Sequence, residues 1–267
     1  MTELRLQNVQ QTPLITLSAK ARESRLADSL LHDHFAAAAI ERLDADLTRF
    51  QVWRDGMIGL AVRAKTLDDW TTEFLAAHSE SVVLHLGCGL DSRILRVNPN
   101  PSVRWFDIDL PEVIQLRRSL YPSRVGQTLI SASLTEPGHT WLSEVPSDRP
   151  TLIVAEGVFP YLTADDVQAL LNALLAHLPS GELIFDAYSQ LCLKLIGYHS
   201  SIRSTGAMLR WGIDDPHELE TWNPRLRLVT DLTDHDPQQL ARLSWPSRLL
   251  TRIPALKRLA RLLRYSI

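Results

Sequence analysis

Two glycines bracket a cysteine in Gly87-Cys88-Gly89, directly after an apolar hexapeptide, and about 20 residues further on Asp107 and Asp109 close a second one. Glycine permits a tight strand-to-helix turn and close approach of backbone to a ligand. A carboxylate at that distance can accept both hydroxyls of a ribose. The pair of signals therefore points to a nucleoside-bearing ligand. A dinucleotide fingerprint would carry a third glycine at position 92, where this chain has Ser92, which weakens an NAD reading. A plainer reading stands beside it: Asp109 to Val113 (DLPEV) is also a helix start, in which the acids would cap a helix beginning at Pro111. Spacing alone leaves the two level.

These residues need a frame, and the hydrophobic pattern supplies one. Ser81–Leu86, Val103–Ile108, Thr128–Ser133, Thr151–Glu156 and Glu182–Tyr188 read as strands, separated by helical spacing such as Pro111–Leu120 and Ala164–Leu178. Strand alternating with helix implies a parallel sheet covered on both faces. Leu226–Asp231 and Leu262–Ile267 read as two final strands. Ahead of the sheet, residues 1–78 look helical: a helix starting at Thr12-Pro13 and running to about Ala27, a second from Asp28 to Leu43, and a third from Gly56 to His78 with Leu60, Leu67, Trp70, Phe74 and Leu75 available for one face. The expected fold is α/β, a Rossmann-like, doubly wound, mostly parallel seven-stranded sheet. It is a single domain: an N-terminal helical region (1–78), a core (79–189 and 225–267) and a helical cap (190–224) inserted after the fifth strand. At 267 residues, 45% hydrophobic and 22% charged, the composition is that of an ordinary globular domain, which at this length buries about 75% of its unfolded surface. No apolar run approaches the roughly 20 residues of a membrane span, and the polar N-terminus and two cysteines suggest a reducing, cytoplasmic location.

The chain resembles the leucine carboxyl methyltransferase and tetracenomycin-type O-methyltransferase branch of the class I S-adenosyl-L-methionine-dependent enzymes. The resemblance rests on Thr16–Ser24 (TLSAKARES), Ala61–Trp70 (AVRAKTLDDW), Val82–Arg93 (VVLHLGCGLDSR), Arg104–Ile114 (RWFDIDLPEVI), Ala155–Val167 (AEGVFPYLTADDV) and Arg210–Pro224 (RWGIDDPHELETWNP). It implies S-adenosyl-L-methionine as methyl donor and S-adenosyl-L-homocysteine as product. It also implies that Gly87, Cys88 and Gly89 pass beneath the donor, that Asp109 holds its ribose, and that Ser133 and Leu134 flank its adenine. Arg63 would pair with the methionyl carboxylate, with Lys20 assisting, and Glu156 would lie beside the amino-acid end, where the donor's ammonium group would partner it. Ser92 and Pro160 depart from the family pattern. Tyr161 could line the acceptor pocket or pack beneath the following helix.

Methyl transfer to oxygen asks chiefly for alignment. A carboxylate acceptor is ionised at neutral pH and needs no base, whereas a phenol is only about 0.1% ionised and lacks about 4 kcal/mol that a base would have to offset. Among nine histidines, His85 reads as a core or cofactor-adjacent residue, while His32, His34, His139, His177, His217 and His235 read as surface or turn positions. His199, in the segment expected to roof the acceptor, is the candidate base. No metal-ligand spacing is present. The leading expectation is an O-methyltransferase esterifying a carboxylate of a small secondary metabolite. Alternatives are methylation of a phenolic or enolic hydroxyl in a polyketide-like pathway, a cofactor-binding module without catalysis, and an NAD enzyme. The formal charge of −3 gives no field for nucleic acid, although seven cations from Arg242 onward face no acid. Those cations read as a basic surface helix with its apolar side on the domain, as a contact for membrane or RNA, or as a surface for an anionic or carrier-bound acceptor.

Overall fold

A computed structural model describes residues 12–43, 52–197 and 208–267. Seven strands form one sheet: β1 (Val82–Leu86), β2 (Arg104–Asp109), β3 (Gln127–Ser131), β4 (Thr151–Ala155), β5 (Gly181–Tyr188), β6 (Arg227–Leu232) and β7 (Ala260–Ser266). Their order is β3-β2-β1-β4-β5-β7-β6, with β7 antiparallel to both neighbours and the remaining pairings parallel. Every residue of β1 and β4 is buried, as central strands covered on both faces require. The chain reverses direction in sheet order between β1 and β4, so their carboxyl ends flank the crevice where such sheets receive ligands.

The helices are α1 (Thr12–Glu23), α2 (His34–Arg42), α3 (Arg54–Ala77), α4 (Arg93–Val97), α5 (Pro111–Leu120), α6 (Ala164–His177), α7 (Gln190–Gly197) and α8 (Glu218–Trp222), then three short ones, α9 (Pro237–Leu240), α10 (Trp245–Leu250) and α11 (Pro254–Lys257). One face of the sheet packs against α6 through Val167, Leu170, Leu171 and Leu174. The other packs against α3 through Leu67, Trp70 and Phe74, the stripe its periodicity predicts. None of the described helices is long and apolar enough to cross a membrane.

Three expectations are corrected. The second helix begins at His34 rather than Asp28, because the Asp33 carboxylate caps it by accepting the Ala36 N–H at 2.9 Å. The preceding turn is instead fastened to Glu23, which accepts from Ser29 Oγ at 2.9 Å and Leu30 N at 2.7 Å. The basic C-terminal stretch is not one basic helix: α10 leaves Trp245, Leu249 and Leu250 exposed, whereas Arg261 and Arg264 lie in β7, whose Leu262, Leu263 and Tyr265 are buried. Four of its seven cations have internal partners, Arg242 on Glu23 and Asp28, Lys257 on Asp234, Arg261 on Asp231, and Arg264 on Glu73 and Glu182. The segment after β5 is not only a roof. Trp211 is buried among Phe159 and Phe185, with ring centroids 6.0 and 6.4 Å away, so its described part belongs to the core.

Candidate active site

At the carboxyl edge of the sheet lies a cavity of about 750 Å³, bounded by α1, the first turns of α3 and the ends of β1, β2, β4 and β5. The Gly87-Cys88-Gly89 turn forms its floor. Both glycines have positive φ, and a Cβ on Gly87 would stand 2.6 Å from Val158 Cγ2, so no other residue fits there without displacement. The Cys88 thiol is buried and pushed up by that burial, leaving it protonated.

The two aspartates of β2 divide the work. Asp109 faces the cavity and accepts the N–H groups of Gly89 and Leu110, each at 2.7 Å. Its carboxylate fixes the turn and keeps lone pairs for a ligand. It does not cap α5, whose first residues receive no side-chain cap. Asp107 is fully buried, accepting from His85 Nδ1 at 2.9 Å, Gln127 Nε2 at 2.6 Å, Trp105 Nε1 at 3.1 Å and Arg117 Nη2 at 3.1 Å. Arg117 also donates to the carbonyls of Gly89 at 3.3 Å and Asp91 at 2.5 Å, so Asp107 braces the glycine turn from behind. Burial pulls the His85 imidazole below its ordinary value. As a neutral ring it donates from Nδ1 to Asp107 and accepts from Arg93 at Nε2, 3.4 Å away.

Besides Asp109 and the glycine turn, the cavity is lined by a cluster of charge. Glu156, at the end of β4, pairs with Lys20 at 3.2 Å, with Arg63 at 3.1 Å and with Arg93. Lys20 also reaches Asp91 at 3.0 Å. Arg63 Nη1 donates to Asp186 at 2.8 Å and to the Tyr188 hydroxyl at 3.2 Å, and Asp186 accepts the Gly157 N–H at 2.5 Å. Behind this layer, Arg93 and Arg96 each donate to Asp68 at 2.7 Å, and Arg96 reaches Asp33 at 2.8 Å. Ser92 Oγ closes the set on Asp33 at 2.6 Å. The carboxylates Asp33, Asp68, Asp91, Glu156 and Asp186 outnumber the cations Lys20, Arg63, Arg93 and Arg96 by one. A surplus negative charge this deep in a cavity favours a ligand of net positive charge.

Lys20, Arg63, Gly87, Cys88, Gly89, Asp109, Ser133, Leu134, Glu156 and Tyr161 all line this one cavity. Glu156, for which the sequence points to the ligand's ammonium as partner, is already paired by three protein cations. His199 lies outside the described residues. Two histidines read as surface or turn positions lie in turns but not on the open surface: His139 is buried with Nε2 3.2 Å from the Leu134 carbonyl, and His235 lines the cavity, half-buried, its buried Nδ1 without a partner among the described residues. Sequence reasoning also missed Asp91, Asp186 and Tyr188. Asp186 carried a usable signal, since it is a carboxylate in an apolar strand, two residues from its carboxyl end.

With the geometry in view, the likenesses of this chain are informative. A family model described as leucine carboxyl methyltransferase matches residues 14–175. The chain is 40% identical over 98% of both sequences to the tetracenomycin polyketide synthesis O-methyltransferase TcmP of Streptomyces glaucescens. It is 33% identical to the S-adenosyl-L-methionine-dependent methyltransferase dpfgK of Gibberella zeae, covering 93% of this chain and 90% of that one. Among solved structures, a methyltransferase from Anabaena variabilis shares the fold at a TM-score of 0.52 and 13% identity, over 93% of this chain and 94% of the other. The chain belongs to the leucine carboxyl methyltransferase family and is an S-adenosyl-L-methionine-dependent methyltransferase.

Proposed function

We propose that the protein esterifies a carboxylate oxygen of a small, largely apolar acceptor of the secondary-metabolite kind. The observation that carries this reading is the placement of two phenol hydroxyls, Tyr161 and Tyr188, on the cavity wall that holds Arg63. Burial pushes both Tyr161 and Tyr188 above the ordinary tyrosine value, so each stays protonated at neutral pH and neither serves as a base. A carboxylate acceptor requires none. Such hydroxyls instead donate hydrogen bonds, which suits an anionic oxygen. The family's description by carboxyl methylation agrees with it.

The residues present fit the donor. A cluster with one surplus carboxylate matches a ligand carrying a sulfonium, an ammonium and a carboxylate, and the glycine turn leaves room for backbone approach. Asp109 would hold the ribose, Ser133 and Leu134 the adenine, and Lys20, Arg63, Asp91, Glu156 and Asp186 the amino-acid end. When bound, S-adenosyl-L-methionine supplies an electrophilic methyl group. The chain's own contribution is positional: rigid, mutually paired charges fix one end, apolar walls exclude water, and the acceptor oxygen is held in line. Alignment of this kind is worth roughly 7 to 11 kcal/mol.

His235 favours a second reading, transfer to a hydroxyl. Its ring lines the cavity, and burial lowers it below the ordinary histidine value, leaving a neutral imidazole able to take a proton. Mass spectrometry of a panel of carboxylic and phenolic metabolites, scored for methyl gain, tests both. A product hydrolysed by mild alkali supports the ester. An alkali-stable ether, with His235→Ala abolishing its formation, would overturn that reading in favour of the hydroxyl.

A further inference from the structure

We propose that the segment between β6 and β7 docks the protein on an anionic membrane surface, with Trp245, Leu249, Leu250 and Ile253 entering the lipid and Arg248 and Arg252 meeting its headgroups. The proposal goes beyond methyl transfer and holds whichever oxygen receives the methyl group. A surface helix ordinarily buries its apolar side chains and shows polar ones to water. This segment is built the other way round. Its attachments to the helical layer are mostly polar: Arg242 donates to Glu23 and Asp28, each at 2.9 Å, and Ser244 and Ser247 donate to Asp55 in the first turn of α3. Leu243 adds an apolar contact with the cluster of Met57 and Ile58. Ser244 stands at the N-cap of α10, yet its hydroxyl serves Asp55 and not its own helix.

Beyond these anchors the side chains that face water are large and apolar. Trp245 is 71% exposed, Leu249 55% and Leu250 51%, with Ile253 exposed one turn further on. The helical turn continues past α10, because the N–H groups of Arg252 and Ile253 donate to the carbonyls of Leu249 and Leu250. Trp245, Leu249 and Ile253, four residues apart, therefore follow one another along one side, with Arg248 and Arg252 in the next row. Single exposed apolar residues are ordinary, but four within nine residues form a patch.

Charge identifies what covers it. No acid occurs from Pro237 to Ile267. Arg248, Arg252 and Arg258 are exposed and have no carboxylate partner among the described residues. A second copy of the chain seated on the patch would set these guanidinium groups against their own counterparts. An anionic bilayer offers negative headgroups at its face and an apolar boundary beneath them, the two things that the arginines and the projecting side chains need.

The test is flotation of the full chain with vesicles of phosphatidylcholine alone or with one quarter phosphatidylglycerol. The wild type should bind the anionic vesicles about tenfold or more tightly than the neutral ones, and less tightly as salt rises. Arg248→Gln with Arg252→Gln should lose about tenfold on anionic vesicles and flatten the salt dependence. Leu249→Ser with Leu250→Ser should lose about tenfold and keep it. Both pairs lie on the outer surface, so unfolding temperature and S-adenosyl-L-homocysteine affinity should stay at wild-type values. Absence of binding to anionic vesicles, equal binding to neutral ones, or binding that neither pair of substitutions changes overturns the proposal. So does a dimer in sedimentation velocity that the leucine substitutions dissociate, which would give the patch to a second copy. Leucine-dependent binding to poly-L-glutamate as tight as to the anionic vesicles would overturn it in favour of an acidic protein.

Discussion

Glu156 is the residue on which the cluster turns. Burial alone would push its carboxyl up, but Lys20, Arg63 and Arg93 overcome that and hold it at about 2. Asp107, held chiefly by Arg117 against the same burial effect, also lies at about 2. Both folded values are depressed, so the stability from these pairings is fully present above the unfolded values, near 4 to 4.5, and is lost as pH falls toward 2. Thermal unfolding followed from pH 6 to pH 2 should show the steepest loss of midpoint in that window. At neutral pH, Glu156→Gln should cost about 3 kcal/mol in denaturant unfolding, because it removes the carboxylate that Lys20, Arg63 and Arg93 share in the buried cluster. A variant as stable as the wild type would mean those cations are solvated. Asp109 behaves oppositely. Burial raises its carboxyl above the ordinary value despite the Gly89 and Leu110 N–H groups, so donor affinity should weaken in mildly acidic buffer before an ordinary aspartate would protonate. Asp109→Asn should lose about 1.5 to 3 kcal/mol of S-adenosyl-L-methionine binding by calorimetry, and unchanged affinity would remove Asp109 from the donor site.

At the scale of elements, the strands were legible to within two residues, because buried apolar runs bounded by Gly, Pro and Asp leave little else for the chain to do. Helix starts were less so. Asp33 caps α2 while also receiving Ser92 and Arg96, contacts from 59 and 63 positions away that no local pattern carries. Site residues announced by a strand end, Asp109 and Glu156, were readable; His235 was not, because only the path of the chain between β6 and β7 brings it to the cavity. That path is pinned at Asp55 in the first turn of α3, which accepts from Ser244 N at 2.9 Å and from the hydroxyls of Ser244 and Ser247 at 2.5 and 2.6 Å. The same carboxylate sits two residues from Trp53 on the cavity wall. Asp55→Ala should free the α9–α11 segment, raising amide exchange across residues 244–251 by about tenfold while leaving β1, β4 and β5 protected. Uniform exchange across the chain would show instead that Asp55 supports the whole fold.

At the scale of the whole molecule, the apolar packing of α3 on the sheet is joined by a charged seam at the sheet's carboxyl edge. Lys20 belongs to α1, Arg63 and Asp68 to α3, Arg93 and Arg96 to α4, while Glu156 and Asp186 stand at the sheet edge. A ligand seated there contacts both layers and should stabilise the chain as a unit rather than one part of it. Donor at 100 times its dissociation constant should add about 2.7 kcal/mol, a rise of roughly 5 to 11 °C in unfolding temperature for a chain of this size. The surplus carboxylate also sets an order between ligands. S-adenosyl-L-methionine carries one net positive charge and S-adenosyl-L-homocysteine none, so the donor should bind more tightly than the product, and added salt should do little to narrow the gap because the seam is buried. Neutralising one carboxylate of the seam by Asp186→Asn should shrink that preference. Calorimetry with both ligands on wild type and variant decides it: equal affinities in the wild type, or a preference indifferent to Asp186, would mean that the charge of the seam is balanced without the donor.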